Sequence, residues 1–287
     1  VVHRADLRAG LLARVAREPS IHLHYDAEVI AATQQIADGV AITLSDGRHL
    51  AGRGLVGADG VWSRVRGSVA PDAKPQQSGY VAYRAVVPVE AARVLGTLDE
   101  VGAWLRPDAH LVHYPVRGGA AINVVLIVGS TWVSDAWSGA VDRTEVQPIL
   151  SRFSPEIARA LADVDWLKWA LAASVKLPRW SDGAVVLAGD AAHGMLPFLA
   201  QGAAMALEDA VALGVAVQAC PDDLPQAFKR YERARHARVA RVQDGATRNG
   251  RIFHLDGVMA SARDMTLRLL PASALVARMD WLYGFRP

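Results

Sequence analysis

Apolar positions repeat with two different periods along the chain, and each period predicts its own kind of element. Between Asp6 and Glu18 leucine and valine recur at every fourth position, which predicts an amphipathic helix that Pro19 ends. From Ile21 to Gly57 short runs containing Val, Ile and Thr are separated by Asp38-Gly39 and Asp46-Gly47, a pattern typical of hairpins. The beginning of the chain therefore predicts one helix followed by short antiparallel strands.

The next part of the chain favours β structure. The run Arg53–Gly60 predicts a buried strand that ends in a Gly/Asp turn and leads into a short helix over Ser63–Gly67. Beyond Gly79 the pattern is mainly β, and Val141–Asp165 is more helical, with breaks at two prolines. The predicted strands of this β region are Tyr80–Pro88, His110–Val116 and Ala121–Val128, with a turn at 117–119, and the two prolines are Pro148 and Pro155.

An α/β pattern returns in the last third of the chain. The compact apolar run Ala184–Ala188 predicts a central strand, and the loop Gly189–His193 follows it. Two helices are predicted after the loop, over 202–219 and 224–243, and a tail of short apolar runs follows. The chain therefore predicts an α/β fold in which a mainly β region is inserted.

Composition and charge narrow the classes of protein. The 287 residues are 52% hydrophobic and 21% charged, which is globular composition. A single cysteine, Cys220, excludes an internal disulfide framework and a Cys-rich zinc module, and a net charge of +2 gives no indication of nucleic-acid binding. The apolar stretch Ala203–Ala219 is interrupted by Glu208 and Asp209, which predicts no membrane span. The sequence also has no signal-peptide pattern. Together these features predict a cytoplasmic protein.

The most informative motif follows the predicted central strand. Asp190 comes directly after this strand, where an open α/β sheet binds ligands, and its carboxylate can accept hydrogen bonds from a sugar hydroxyl. Gly202 opens the next helix, whose free N–H groups would face an electron-rich ligand edge. The alternative is that Asp190 caps a turn and Gly202 only packs, which a Gly-Asp pair standing alone would favour.

Two weaker motifs precede it. Gly57–Gly60 predicts a tight strand-to-helix turn in which Asp59, with the arginines that follow, can position phosphates, although Asp-Gly turns are common. Arg4 precedes a helix and can bind a pyrophosphate through two hydrogen bonds, although alone it would be a solvated residue.

His22 and His24 share a strand face without a third metal ligand, so we predict surface histidines and no metal.

Taken together, the motifs resemble the class A flavoprotein aromatic hydroxylases, which have the para-hydroxybenzoate hydroxylase fold. Within that family the sequence is most similar to salicylate, 3-hydroxybenzoate and 6-hydroxynicotinate hydroxylases. The stretch AGDAAHGMLPFLAQGAAMALEDA, from Ala188 to Ala210, is the most specific part of the resemblance. The segments HRADL, GADGVWSRVR, GYVAYRAVVP, HLVHYPVRGG, RNGRIFHL and DWLYG follow in family order over essentially the whole chain.

The resemblance implies an α/β (α+β) fold with interleaved domains. We expect an FAD-binding, Rossmann-like domain at 1–75 and 176–250, a β-rich substrate domain at 76–175 and a C-terminal helical tail at 251–287. The family begins with a G-x-G-x-x-G unit that the sequence lacks, so the FAD-binding domain is expected to be N-terminally incomplete. The expectation that follows is a chain that binds FAD poorly on its own and tends to aggregate.

The resemblance also implies which residues contact the cofactor. Asp190 would bind the ribityl or ribose hydroxyls of FAD, Arg4 its pyrophosphate, and Asp59 both FAD and NAD(P)H. The residues that would lie against the flavin ring or at the helix start beside it are Pro197, Gly202 and Ala203.

On the substrate side, the resemblance implies that His113 and Gln201 are catalytic residues beside the ring. A histidine with a pKa near neutrality can remove a phenolic proton, which raises the electron density of the ring. His113 is alternatively a core histidine whose hydrogen bonds the backbone satisfies. Tyr83, Arg84 and Arg117 are further candidates for substrate contact, and Arg84 is equally compatible with a structural role.

The activity implied is an FAD-dependent monooxygenase. It would use NAD(P)H as reductant and molecular oxygen to hydroxylate a small aromatic or heteroaromatic acid through a flavin C4a-hydroperoxide. Two alternatives stay open: an oxidative tailoring enzyme of the same fold acting on a larger metabolite, and an inactive truncated remnant that does not bind FAD. The charged helix and apolar tail are compatible with a homodimer.

Overall fold

The computed structural model describes residues 3–35, 39–130, 138–173 and 176–285. The helices are α1 (Arg4–Val15), α2 (Arg66–Val69), α3 (Val89–Ala92), α4 (Arg143–Leu150), α5 (Pro155–Ala160), α6 (Asp190–His193), α7 (Gly202–Ala219), α8 (Leu224–Phe253), α9 (Gly257–Leu269), α10 (Ala272–Ala277) and α11 (Asp280–Tyr283). The strands are β1 (Val29–Gln35), β2 (Gly39–Leu44), β3 (His49–Gly52), β4 (Leu55–Gly57), β5 (Gln76–Pro88), β6 (Gly102–Leu105), β7 (Ala109–Val116), β8 (Ala121–Gly129), β9 (Ser138–Ala140), β10 (Leu167–Ala173), β11 (Ser181–Asp182) and β12 (Val185–Leu187).

The chain forms two compact units that interleave in sequence. The β unit contains Val1–His24, Gly79–Leu171 and Phe253–Ala260. The α/β unit contains Tyr25–Ser78, Ala172–Ile252 and Ser261–Pro287. Residues 3–24 cluster with the β unit, and the segment after Ile252 is divided between the two units. The predicted domain bounds stay a prediction.

A six-stranded sheet forms the β unit, in the order β6-β7-β8-β5-β10-β9. Because β8 pairs antiparallel and in continuous register with both β5 and β7, successive side chains alternate between two faces. One face, here called the core face, packs with Ala92 of α3, Val146 of α4 and Ile157 of α5. Its strand residues include Val81, Tyr83, Ala85, Val87, Ala109, Leu111, Ile122, Val124, Leu126 and Val128. The other face is called the second face.

The α/β unit is built around two adjacent parallel strands. β4 and β12 pair with Leu187 opposite Gly57, and β11 pairs antiparallel with β12. Val185, Val186 and Leu187 are fully buried in one core with residues of α7 and α8, which explains the unbroken apolar run of this strand. A separate sheet, β1-β2-β3, contains the predicted Asp46-Gly47 turn, where Gly47 has a φ of 86°.

α7 is apolar but carries two adjacent acids in its interior. It is the helix, among the described residues, that is long and apolar enough to cross a membrane. Asp209 is fully buried and Glu208 is partly buried, and both form ion pairs with Arg235 of α8. Buried charges are stable only when they are paired, and here the acids of α7 are paired with an arginine of the charged helix α8. The absence of a membrane span stays a prediction.

Several elements depart from the prediction. α4 continues through Pro148, so the predicted break there is wrong, whereas Pro155 does begin α5. The lost hydrogen bond at Pro148 does not end the helix, since Val146 and Leu150 are buried in the core. α8 extends ten residues beyond the predicted end at Gln243, to Phe253. Four strands, β6, β9, β10 and β11, were not predicted. Asp38, in the other predicted turn, lies outside the described residues.

Candidate functional site

Two of the predicted motifs lie at one edge of the parallel strands. Ala188 donates its backbone N–H to the carbonyl of Gly57 at 2.9 Å, so the chain leaves β4 and β12 at the same level. Asp59 and Asp190 follow these strand ends, and both are exposed. Asp59 accepts hydrogen bonds from the backbone N–H groups of Arg64 and Val65 through one carboxylate oxygen, at 2.8 and 3.2 Å. The Asp59 carboxylate therefore stabilises its own turn.

Arg66 connects the two motifs. Its guanidinium donates to the carbonyl of Ala191 at 2.8 Å, to that of Asp190 at 3.1 Å and to that of Val61 at 2.8 Å. Burial lowers the pKa of Arg66, opposed by the negative charges of Asp59 and Asp190. The sequence pattern allows this arginine to bind phosphate. In the structure its guanidinium holds the two turns together.

Asp209 holds the Asp190 turn from the interior. One carboxylate oxygen accepts from the Gly189 N–H at 3.0 Å and contacts His193 Nε2 at 2.5 Å, and the other accepts from Arg235 Nε at 2.8 Å. Burial acts to raise the pKa of Asp209, but the hydrogen bonds and charges of His193 and Arg235 outweigh it and the net shift is downward. The turn is therefore fixed at both ends while Asp190 stays exposed.

The start of α7 lies beside Asp190. A Cβ placed on Gly202 would lie 3.8 Å from the Asp190 Oδ1 atom, so a side chain larger than hydrogen would occupy the space next to this carboxylate. No side chain caps the first turn of this described helix. An exposed carboxylate beside an uncapped helix N-terminus fits a ligand with hydroxyl groups and an electron-rich edge.

The other candidates of this segment have different environments. Gln201 is buried, and its amide donates to the Leu199 carbonyl at 3.3 Å. Pro197 begins a 3-10 turn and is partly buried, whereas Ala203 is exposed on the first turn of α7. Gln201 is thus bound to its own loop.

His113 and Tyr83 lie on the core face of the six-stranded sheet. His113 Nε2 contacts the Thr97 carbonyl at 3.3 Å, and its ring packs so tightly against Gly102 that a Cβ there would overlap it. Tyr83 donates its hydroxyl to Glu145 Oε1 at 2.7 Å. Their substrate contacts stay predictions, but this placement favours the core alternative for His113, since both side chains face the helix-covered core.

Arg84 lies on the second face, since it is adjacent to Tyr83 along β5. Its guanidinium lies 5.4 Å from the centre of the Trp169 ring, and its Nε atom has no hydrogen-bond partner among the described residues. Burial lowers the pKa of Arg84, Tyr114 raises it and Arg4 lowers it. The positive charge of Arg4 thus makes a small contribution to the lowered pKa of Arg84, and the pyrophosphate contact of Arg4 stays a prediction.

His110 also lies on the second face, and sequence reasoning missed it. Ile127 and Ala82 lie opposite it along the sheet, and Arg84 is two residues further along β5. His110 Nδ1 lies 2.9 Å from His254 Nε2. Burial lowers the pKa of His110 to about 3, with a further contribution from His254. Strand alternation could have placed it there, because His110 lies three residues before His113 on the same strand and an odd offset puts two side chains on opposite faces.

Arg117 lies in a different environment from the residues of either sheet face. It is exposed in the 3-10 turn at 117–119 and has a φ of 53°. The structure therefore places Arg84 and His110 on one sheet face, His113 and Tyr83 on the other, and Arg117 in a surface turn.

The chain is similar to proteins of known activity. A family model described as an FAD binding domain matches residues 3–246. A 3-hydroxybenzoate 6-hydroxylase of Aquipseudomonas alcaligenes is 35% identical over 99% of this chain and 72% of its own length. A 3-amino-4-hydroxybenzoate 2-monooxygenase of Streptomyces platensis is 32% identical over 99% of this chain and 71% of its own length.

Solved structures have the same fold. A salicylate hydroxylase substrate complex matches with a TM-score of 0.81 and 26% identity, over 99% of this chain and 73% of that one. HpxO of Klebsiella pneumoniae, complexed with FAD and uric acid, matches with a TM-score of 0.82 and 25% identity, over 96% of this chain and 70% of that one. Both comparisons extend across nearly the whole chain.

Proposed function

Because the chain belongs to the flavoprotein aromatic hydroxylases, a family of FAD-dependent monooxygenases, we propose that it hydroxylates a small aromatic acid bearing a ring hydroxyl, with NAD(P)H as reductant. The observation that carries this proposal is the second face of the β-unit sheet. There the partly buried Arg84 of β5 and the buried His110 of β7 lie on the same face with β8 between them, and burial lowers the pKa of His110 to about 3. The cation can bind the carboxylate of a hydroxybenzoate, and the neutral imidazole can form a hydrogen bond with its ring hydroxyl.

The α/β unit supplies groups that fit FAD. Asp190 and the start of α7 at Gly202 would hold the hydroxyl-rich chain and an electron-rich edge, with Pro197 and Ala203 beside them. When bound, FAD supplies the reduction of oxygen and the transfer of one oxygen atom. The chain's own residues bind, orient and exclude water.

His110 is the residue that we propose to contact the ring hydroxyl. Its buried imidazole stays neutral at pH 7, because burial holds its pKa at about 3. It would therefore act as a neutral hydrogen-bonding group, whereas the resemblance gave the role of a base of near-neutral pKa to His113. Val112 and Val125, which lie on the same face, add apolar surface that favours an aromatic ring.

The carboxylate contact gives the first test. We expect Arg84→Gln to raise the dissociation constant of 3-hydroxybenzoate about 10- to 100-fold, because a charge-assisted hydrogen bond contributes about 1.5–3 kcal/mol. Binding of 3-hydroxybenzyl alcohol, which lacks the carboxylate, should change little. Isothermal titration with both ligands measures the difference, and Arg93→Gln, an exposed arginine of the same unit, is the matched control.

Activity completes the test. The protein supplied with FAD and NAD(P)H should oxidise NAD(P)H faster with 3-hydroxybenzoate and form a product heavier by one oxygen atom. Stimulation by multi-ring metabolites alone would favour the tailoring alternative instead. The absence of any FAD binding would favour the remnant.

A further inference from the structure

The loop 194–201 joins the two groups that would hold FAD in the α/β unit. α6 begins at Asp190 and α7 begins at Gly202, so the path of this loop sets the distance between the exposed carboxylate and the helix N-terminus. The loop contains the 3-10 turn Pro197–Leu199, and Ala200 after it has a φ of 53°, in the left-handed region that favours glycine. Because a strained backbone persists only where its surroundings hold it, the loop depends on contacts from outside itself.

Polar side chains in the second half of α8 supply some of these contacts. The buried Gln243 donates its amide N–H groups to the carbonyls of His193 and Gly194, at 3.3 and 3.2 Å. Six residues further along the same helix, Asn249 donates its amide to the carbonyl of Phe198 at 2.5 Å. One helix therefore binds the loop both where it leaves α6 and at its 3-10 turn.

Two glycines of α8 allow the apolar side chains of the turn to approach the helix. A Cβ on Gly250 would overlap the ring of Phe198, which is 5% exposed. A Cβ on Gly245 would lie 3.0 Å from Leu199 Cδ1 and 3.5 Å from the ring of Trp281. Glycine is unfavourable in a helix interior, so the close approach of these side chains gives a physical reason for both glycines.

We propose that Asn249 and Gly250 are positioning residues for the cofactor. They fix the backbone and the ring of Phe198 on α8, and the fixed loop holds Asp190 and the start of α7 at the spacing that FAD requires. This inference rests on the proposed FAD site at Asp190 and Gly202. A contact that only stabilised the α/β unit would change its stability and leave the FAD affinity of the folded protein unchanged.

The hold of α8 on the loop is tested without cofactor. Asn249→Asp keeps the size of the side chain but has no amide N–H to donate to the turn. We expect the Ala200 N–H, which is hydrogen-bonded within the turn, to exchange with deuterium about tenfold faster in this variant, while the Leu187 N–H of β12 is unchanged. Arg248→Ala, at the exposed neighbouring position, should leave both rates unchanged. An unchanged rate at Ala200 in Asn249→Asp would overturn the proposal.

The consequence for FAD is tested with a pair of glycine variants. Gly250→Ala and Gly214→Ala make the same change in a helix interior, but a Cβ on Gly214 meets nothing within 4 Å. Quenching of FAD fluorescence, titrated to millimolar concentrations, should show a dissociation constant raised about 10- to 100-fold in Gly250→Ala and unchanged in Gly214→Ala. The double variant Gly250→Ala/Phe198→Leu makes room for the new methyl group and should recover the wild-type affinity to within about threefold.

The outcomes separate positioning from stability. Wild-type FAD affinity in both Asn249→Asp and Gly250→Ala, each shown to be folded by circular dichroism, would overturn the positioning role. If the wild-type protein binds no FAD, the proposed cofactor site fails, whereas the exchange rate at Ala200 still decides whether α8 holds the loop.

Discussion

Replacing Arg235 with methionine is expected to lower the free energy of unfolding by about 3–5 kcal/mol. Arg235 is 1% exposed and donates to Asp209 at 2.8 Å and to Glu208 at 2.6 Å. Methionine fills a similar volume but removes the charge-assisted hydrogen bond of Arg235 from the buried Asp209 carboxylate. Urea unfolding followed by circular dichroism measures the change. Arg233→Met, at an exposed position of the same helix, should stay within about 0.5 kcal/mol of the wild type.

The effect depends on pH with a definite sign. The folded protein holds the pKa of Asp209 below 3.8, its ordinary value, so the stabilisation by the ionised carboxylate is fully present above that pH. It is lost as the pH falls through the folded-state pKa. The difference between wild type and Arg235→Met should therefore be constant near neutrality and shrink in acid. A loss below 1 kcal/mol at pH 7 would show that the pair contributes little.

Local patterns predict this fold best where burial is continuous or periodic. The apolar run before Asp190 and the small residues after Gly202 predict β12 and α7, and the strand-end rule predicts that these two residues meet. β10 escaped prediction because Leu167–Ala173 is rich in Leu, Lys and Ala, which favour helix. Its strand conformation comes from pairing within the sheet, which overrides local propensity.

The candidate site was harder to predict than the fold. Alternation along β7 separates His110 from His113 onto opposite faces, but only the tertiary packing of α3–α5 decides which face is covered. The contacts of Arg66 with Asp190 and of Asp209 with Arg235 join residues far apart in sequence. No local pattern contains such pairs, so their roles emerge only from the structure.

The two aspartates at the edge of the parallel strands should respond differently to removal of their carboxylates. Asp190→Ala is expected to raise the dissociation constant of FAD about 10- to 100-fold with little change in Tm, because its exposed carboxylate would bind ligand hydroxyl groups. Asp59→Ala should instead lower the stability by about 1 kcal/mol, since its carboxylate accepts two backbone N–H groups of its own turn. Quenching of FAD fluorescence, titrated up to millimolar concentrations to include weak binding, and thermal unfolding measure the two effects.

Asp182→Ala serves as the control for Asp190→Ala, because Asp182 belongs to the same unit and pairs with Arg179 at the surface. It should change neither FAD affinity nor Tm appreciably. Equal losses of Tm in Asp190→Ala and Asp59→Ala, with FAD affinity intact in both, would contradict the division of roles. Both carboxylates would then stabilise turns, and the cofactor would have to be held by the helix N-terminus at Gly202 and by other groups.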